Sequence, residues 1–130
     1  FSLIELLVVV AIIGILSAVG TMAYNGYVSG TKQKSAENAM QQIALAQTEE
    51  YSNSGEYHIQ TESETCTPDS DTSDDIEEVL FGGGDVISDE GGYEMCIAAD
   101  GTSYVIVASA GTGECTITMT ANGAWTRENC

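Results

Sequence analysis

Over residues 1–22 the chain is apolar around the whole circumference of a helix. Leu, Ile, Val, Ala, Gly and Met dominate, with occasional Ser or Thr, and Glu5 is the single ionisable side chain. An apolar run of 18 or more residues reads as a membrane-spanning helix. Lacking a polar face, it must be buried on every side, in lipid or in protein. From Tyr24 the pattern turns amphipathic. Val28, Ala36, Ala39, Met40, Ile43 and Ala46 recur at spacings close to a helical turn, while Lys32, Lys34, Glu37, Gln41 and Glu49 fall largely off that stripe. Ser52-Asn53-Ser54-Gly55 is a helix stop. The pattern therefore predicts one helix over residues 1–53, with a membrane or filament-core half at 1–22 and an amphipathic half at 23–53. At 1.5 Å per residue such a helix is about 80 Å long. A domain of this size cannot cover that length, so half of the helix is expected to project.

Residues 54–92 carry a different signature. Most of the acidic residues fall here, from Glu62 and Glu64 through Asp69, Asp71, Asp74 and Asp75 to Asp89 and Glu90. Pro68 and Gly82-Gly83-Gly84 mark irregular backbone, so the stretch reads as an acidic loop with a short helix or turn at 76–81. Residues 93–130 read as an antiparallel sheet. Strands are expected at 93–99, 103–110 and 115–120, followed by Ala124-Trp125-Thr126, with Asp100-Gly101 and Asn122-Gly123 as hairpin turns. In the third strand Thr faces outward while Ile117 and Met119 face inward.

Charge and cysteines narrow the function. Lys32, Lys34 and Arg127 oppose 20 Asp and Glu, for a formal net charge of −17. Such a surface repels phosphates, so no direct DNA binding is expected. Cys66, Cys96, Cys115 and Cys130 lack CxxC spacing, and His58 is the lone histidine, which argues against zinc. Four separated cysteines point to two disulfides in an oxidising compartment, with three pairings open. One histidine also leaves no plausible Ser/His/acid or Cys/His set, so no enzyme and no cofactor is expected. Asp69, Asp71, Asp74 and Asp75 have calcium-loop composition, but no Gly and distal Glu stand at EF-hand spacing. They are read as solvated loop, and no metal is assigned. Trp125 suits either core or surface. The abrupt start at the apolar run, with no Met and no basic segment ahead of it, suggests a leader removed in the cell or a chain cut there.

The run Phe1-Ser2-Leu3-Ile4-Glu5-Leu6-Leu7-Val8-Val9-Val10-Ala11-Ile12-Ile13-Gly14-Ile15-Leu16 resembles the mature N-terminus of type IV pilins. In that family a prepilin peptidase cuts before an N-methylated Phe, and Glu follows at the fifth place. Tyr24 and Tyr27 also fit the family pattern. The tail Glu114-Cys115-Thr116-Ile117-Thr118-Met119, with Asn122-Gly123 and the terminal Cys130, resembles the disulfide-closed loop of type IVa pilins. The resemblance implies an α+β fold, a long N-terminal helix packed on a four-stranded antiparallel sheet. It implies a major pilin in a homopolymeric type IV pilus supporting adhesion, motility or surface contact, the alternatives being a minor pilin or a type II secretion pseudopilin. Implied partners are identical subunits, the prepilin peptidase and the inner-membrane assembly machinery. The implied location is the inner membrane before assembly and the extracellular filament after it.

At residue level, the resemblance implies an N-methylated Phe1 and a helix that unwinds between Gly14 and Tyr24, with Gly14 and Gly20 as weak points. Many such pilins have Pro where Met22 stands here. Cys115–Cys130 follows from the tail, and Cys66–Cys96 is expected to tether the acidic loop. Glu5 also stands out physically, because a carboxylate in an apolar helix is costly and functional by default. Its best partner is the N-terminal amine of a neighbouring subunit, which would fix the height at which helices stack; an interfacial residue near the membrane surface is the bland alternative. Phe1, Tyr24, Tyr27, Tyr51 and Tyr57 are expected to pack at a filament core.

Overall fold

A computed structural model describes residues 1–87 and 91–130; Asp89 and Glu90 of the acidic stretch lie outside the described residues. Six elements follow in chain order: α1 (Leu3–Ser54), α2 (Ser70–Phe81), β1 (Glu94–Asp100), β2 (Ser103–Ser109), β3 (Thr116–Thr120) and β4 (Trp125–Glu128). The strands form one antiparallel sheet in the order β1-β2-β3-β4. The fold is α+β, a long N-terminal helix and a small antiparallel sheet. The chain divides into two compact units, Phe1–Lys32 and Gln33–Cys130.

Within Gln33–Cys130 the core is built from three layers of contacts. Ala36, Ala39, Met40 and Ile43 come from α1, Ile76 from α2, and Met95, Ile97, Ile106, Ile117 and Met119 from the sheet. The alanines have no bulk beyond Cβ, and the longer Met and Ile fill the space between them, as dense interiors require. Ile117 and Met119 are buried while the flanking Thr residues are half-buried, which is the period-2 alternation of a one-sided strand.

The two sheet edges are handled differently. Along β1, the loop after α1 runs parallel to the strand: the Gln60 N–H donates to the Ile97 carbonyl at 3.0 Å, and the Ala99 N–H donates to the Thr61 carbonyl at 3.0 Å. The far edge, β4, is four residues long and carries Arg127 and Glu128. A short, charged edge strand discourages further pairing.

The structure corrects the reading of residues 54–92 as mainly loop. The helix there has 12 residues and begins at Ser70, well before the expected 76–81. Asp69 is its N-cap: the Asp69 side chain accepts from the Thr72 N–H at 2.8 Å, and the Thr72 hydroxyl accepts from the Asp69 N–H at 3.0 Å. Gly82, at φ 63, closes the other end in the left-handed conformation that glycine adopts without cost. Asp71, Asp74 and Asp75 are therefore helical residues and Asp69 is a cap. The Asp-x-x-Thr cap was legible in principle, but Thr at its fourth place is a weaker signal than the usual Glu or Gln. Ser73 and Thr72 then fasten α2 to β1. The Met95 N–H donates to the Ser73 hydroxyl at 3.0 Å, and the Thr72 hydroxyl donates to the Met95 carbonyl at 2.7 Å.

Candidate assembly site and the buried ion pairs

In Phe1–Lys32, α1 starts with a capping box. The Ser2 N–H donates to Glu5 Oε2 at 2.7 Å, and the Glu5 N–H donates to Ser2 Oγ at 3.2 Å. Ser-x-x-Glu is the standard sequence sign of such a box. Reading Glu5 only as a misplaced charge in an apolar run passes over that sign. The local partner leaves most of the acceptor capacity of the carboxylate open, since it has about four lone-pair sites and the box uses one. Glu5 also sits in the first turn, where the helix dipole favours a negative charge.

Beyond Glu5 the helix continues without interruption through Gly14 and Gly20. A Cβ added at Gly14, Gly20, Gly26 or Gly30 would meet nothing within 4 Å. The glycines are thus not explained by close packing inside the chain. Every residue from 1 to 27 is exposed, including Ile4, Leu16, Met22, Tyr24 and Tyr27. This part of α1 is long and apolar enough to cross a membrane, and none of it is buried by the chain itself. Tyr24 and Tyr27 stand in this unit; Tyr51 and Tyr57 belong to the other and stack on each other.

Gln33–Cys130 contains two polar clusters that sequence reasoning did not find. Glu37, placed off the apolar stripe, is buried: its side chain is only 7% exposed. Arg127 Nε donates to Glu37 Oε1 at 2.5 Å, and Lys34 Nζ donates to Glu37 Oε2 at 3.1 Å. Burial alone would raise the Glu37 carboxyl. The hydrogen bonds and charges of Arg127 and Lys34 outweigh it and hold the group below its ordinary 4.5. Arg127 also lies over the Trp125 ring, 5.3 Å from its centroid, and half-buried Trp125 packs against the core.

The second cluster joins α1, the following loop, α2 and β1. Gln47, fully buried, brackets His58: its Nε2 donates to the His58 carbonyl at 2.7 Å and its Oε1 accepts from the His58 N–H at 2.8 Å. The His58 ring meets Asp75 Oδ2 at 2.7 Å, and Gln60 Nε2 donates to the same oxygen at 2.9 Å. The Gln60 hydrogen bond, followed by His58, lowers the Asp75 carboxyl below its ordinary 3.8 against the opposing effect of burial. The two disulfides complete the scaffold. Cys66–Cys96 ties the acidic loop to β1, and Cys115–Cys130 joins the residue just before β3 to a residue two positions beyond β4. Among the described residues, no three His, Cys, Asp or Glu side chains gather as a metal site.

Comparison with known proteins isolates the N-terminus. Residues 1–21 match the prokaryotic N-terminal methylation motif. No curated protein and no solved structure matches the chain. The motif covers residues 1–21 alone; with an apolar helix opening on Phe1 and Glu5 and a small four-stranded antiparallel sheet, it supports a type IV pilin-like protein.

Proposed function

We propose that the chain is a major pilin, the repeating structural subunit of a type IV pilus, and that it polymerises through α1. The observation that carries this reading is the uncovered apolar surface of residues 1–27. Such a surface needs a non-aqueous surrounding, lipid before assembly and other copies of the same helix afterwards. Processing by a prepilin peptidase and handling by pilus assembly machinery follow from the motif type. On this reading Phe1 carries the methylated amine, the subunit waits in the inner membrane, and the filament is extracellular. A structural role, with no catalysis and no cofactor, accords with the absence of a plausible catalytic set in the sequence. A minor pilin or a secretion pseudopilin would carry the same motif. The two disulfides and the small sheet domain favour the major subunit.

Glu5 sets the height at which one subunit stacks on the next. Its carboxylate has free acceptor sites beyond the Ser2 bond. A neighbouring N-terminal amine entering the apolar bundle would otherwise be an unpaired buried charge, costing several kcal/mol. Glu5→Ala should therefore leave a folded, membrane-inserted subunit that enters filaments poorly. Sheared-filament yield, compared with the membrane pool of the subunit, measures this; wild-type amounts of filament from the variant would refute it.

A further inference from the structure

A cleft of about 760 Å³ opens within Gln33–Cys130, between the end of α1, the turn that follows it and the β1–β2 hairpin. Its aromatic wall is a fixed stack. The Tyr51 and Tyr57 rings lie 4.7 Å apart at 30°, and Tyr57 meets Tyr104 edge-on at 4.8 Å. Tyr104 is only 3% exposed, so the stack is anchored in the core, while Tyr51 stays 50% exposed. Glu50, Glu56 and Glu62 line the same cleft. Among the described residues none of these three carboxylates has a cationic partner, because the ion pairs present belong to Glu37 and Asp75. The His58 ring, also at the cleft, is engaged by Asp75.

Two independent features thus favour the same ligand chemistry. The half-exposed Tyr51 ring at the cleft attracts a cation through its quadrupole. Three carboxylates in the same concavity attract a cation and repel anions. A neutral ring stacked on Tyr51 would gain from the aromatic face but would have to desolvate the carboxylates for little return. A compact ammonium satisfies the charge but does not stack. A guanidinium does both, since it is planar, lies flat on an aromatic face, and donates in its plane to carboxylates in a forked arrangement. We infer that this cleft is a binding site for a guanidinium group, presented by an arginine side chain of a partner protein or by a free arginine derivative. The site lies wholly in Gln33–Cys130, so it stands or falls separately from polymerisation through the N-terminal helix.

The test uses the full chain in neutral detergent micelles, with ring-proton shifts of Tyr51 and Tyr57 followed by NMR. N-acetyl-arginine amide is titrated at constant ionic strength, beside N-acetyl-lysine amide and the neutral N-acetyl-citrulline amide. The arginine probe should give saturable shifts, the lysine probe about tenfold weaker binding, and the citrulline probe none. Tyr51→Leu, and the triple change Glu50→Gln with Glu56→Gln and Glu62→Gln, should each weaken arginine binding about tenfold or more. Asp71→Asn with Asp74→Asn and Glu78→Gln removes the same charge from exposed positions of α2 and should leave it unchanged. A capped Gly-Arg-Gly peptide binding tighter than the single residue identifies a protein partner, and equal binding a free derivative. Shifts that do not saturate, equal response to lysine, or equal loss in the α2 triple variant would overturn the assignment and leave diffuse electrostatic attraction.

Discussion

Glu37 shows how one residue can invert its sequence reading. As a charged side chain off the apolar stripe it belonged to a solvated face, yet it is buried and held by two cations from different parts of the chain. The partners are not equal. Lys34 is one helical turn away and its side chain is 73% exposed, whereas Arg127 comes from β4, 90 residues on, and sits closer. Arg127→Ala should destabilise the folded chain by about 1–3 kcal/mol, because a buried acceptor loses its main donor, and by the lower end of that range if Lys34 compensates. Denaturant unfolding of the disulfide-intact protein measures the loss; no change would mean that solvent already screens the pair. The same contact has a pH signature. A carboxyl whose folded value lies below its unfolded one stabilises the fold above the unfolded value, here 4.5, and loses that contribution as pH falls through the folded value. Stability should therefore fall with acidification below 4.5, less steeply in Arg127→Ala than in the wild type. Asp75 acts in the same direction in both proteins, so the difference between the two curves is the readout.

At the scale of elements, α1 combines two helices in one. From Ala36 to Gln47 it is stabilised by a buried face, whereas from residue 1 to 27 it has only its own hydrogen bonds and a capping box. Helical stability comes chiefly from packing of a buried face, and each glycine costs about 1 kcal/mol relative to Ala. Gly14 and Gly20, with no contact to justify them, are where the uncovered half is cheapest to open. In an assembled filament the helix should lose regular hydrogen bonds between Gly14 and Met22. A filament map resolving the backbone checks this. A continuous helix through these residues would mean that Met22, standing where many pilins have Pro, is enough to preserve the helix.

For the whole molecule the dominant quantity is charge. The chain carries −17, and two of its three basic side chains, Lys34 and Arg127, are already committed to Glu37. Lys32 alone is left without a carboxylate partner among the described residues. Binding duplex DNA by neutralising phosphates requires several such groups together. Purified filaments should therefore show no appreciable affinity for double-stranded DNA near physiological salt. Salt should instead favour contact between fibres by screening their repulsion over about 8 Å. Co-sedimentation with DNA across a salt series, beside light scattering of the fibres, tests both; tight binding that weakens steeply with salt would expose a basic patch contributed by more than one subunit.

Periodicity determined the long N-terminal helix and the inward set Ala36, Ala39, Met40 and Ile43, and the Asp-Gly turn pair determined the hairpin at Asp100-Gly101, because these depend on neighbours in sequence and on burial of a repeating face. The first residues were specific enough to carry the family resemblance, since a lone carboxylate in an apolar run is costly to keep unless it has a task there. What the linear pattern did not contain is contact between distant residues. Whether Glu37 is solvated or buried depends on Arg127, and Gln47 is buried because His58 returns its backbone to it. The stack of Tyr51, Tyr57 and Tyr104 joins residues from the helix end, the following turn and β2. A polar side chain in the sequence is ambiguous between solvent and core; only the tertiary structure, by supplying or withholding a hydrogen-bonding partner, decides which environment it can occupy without loss.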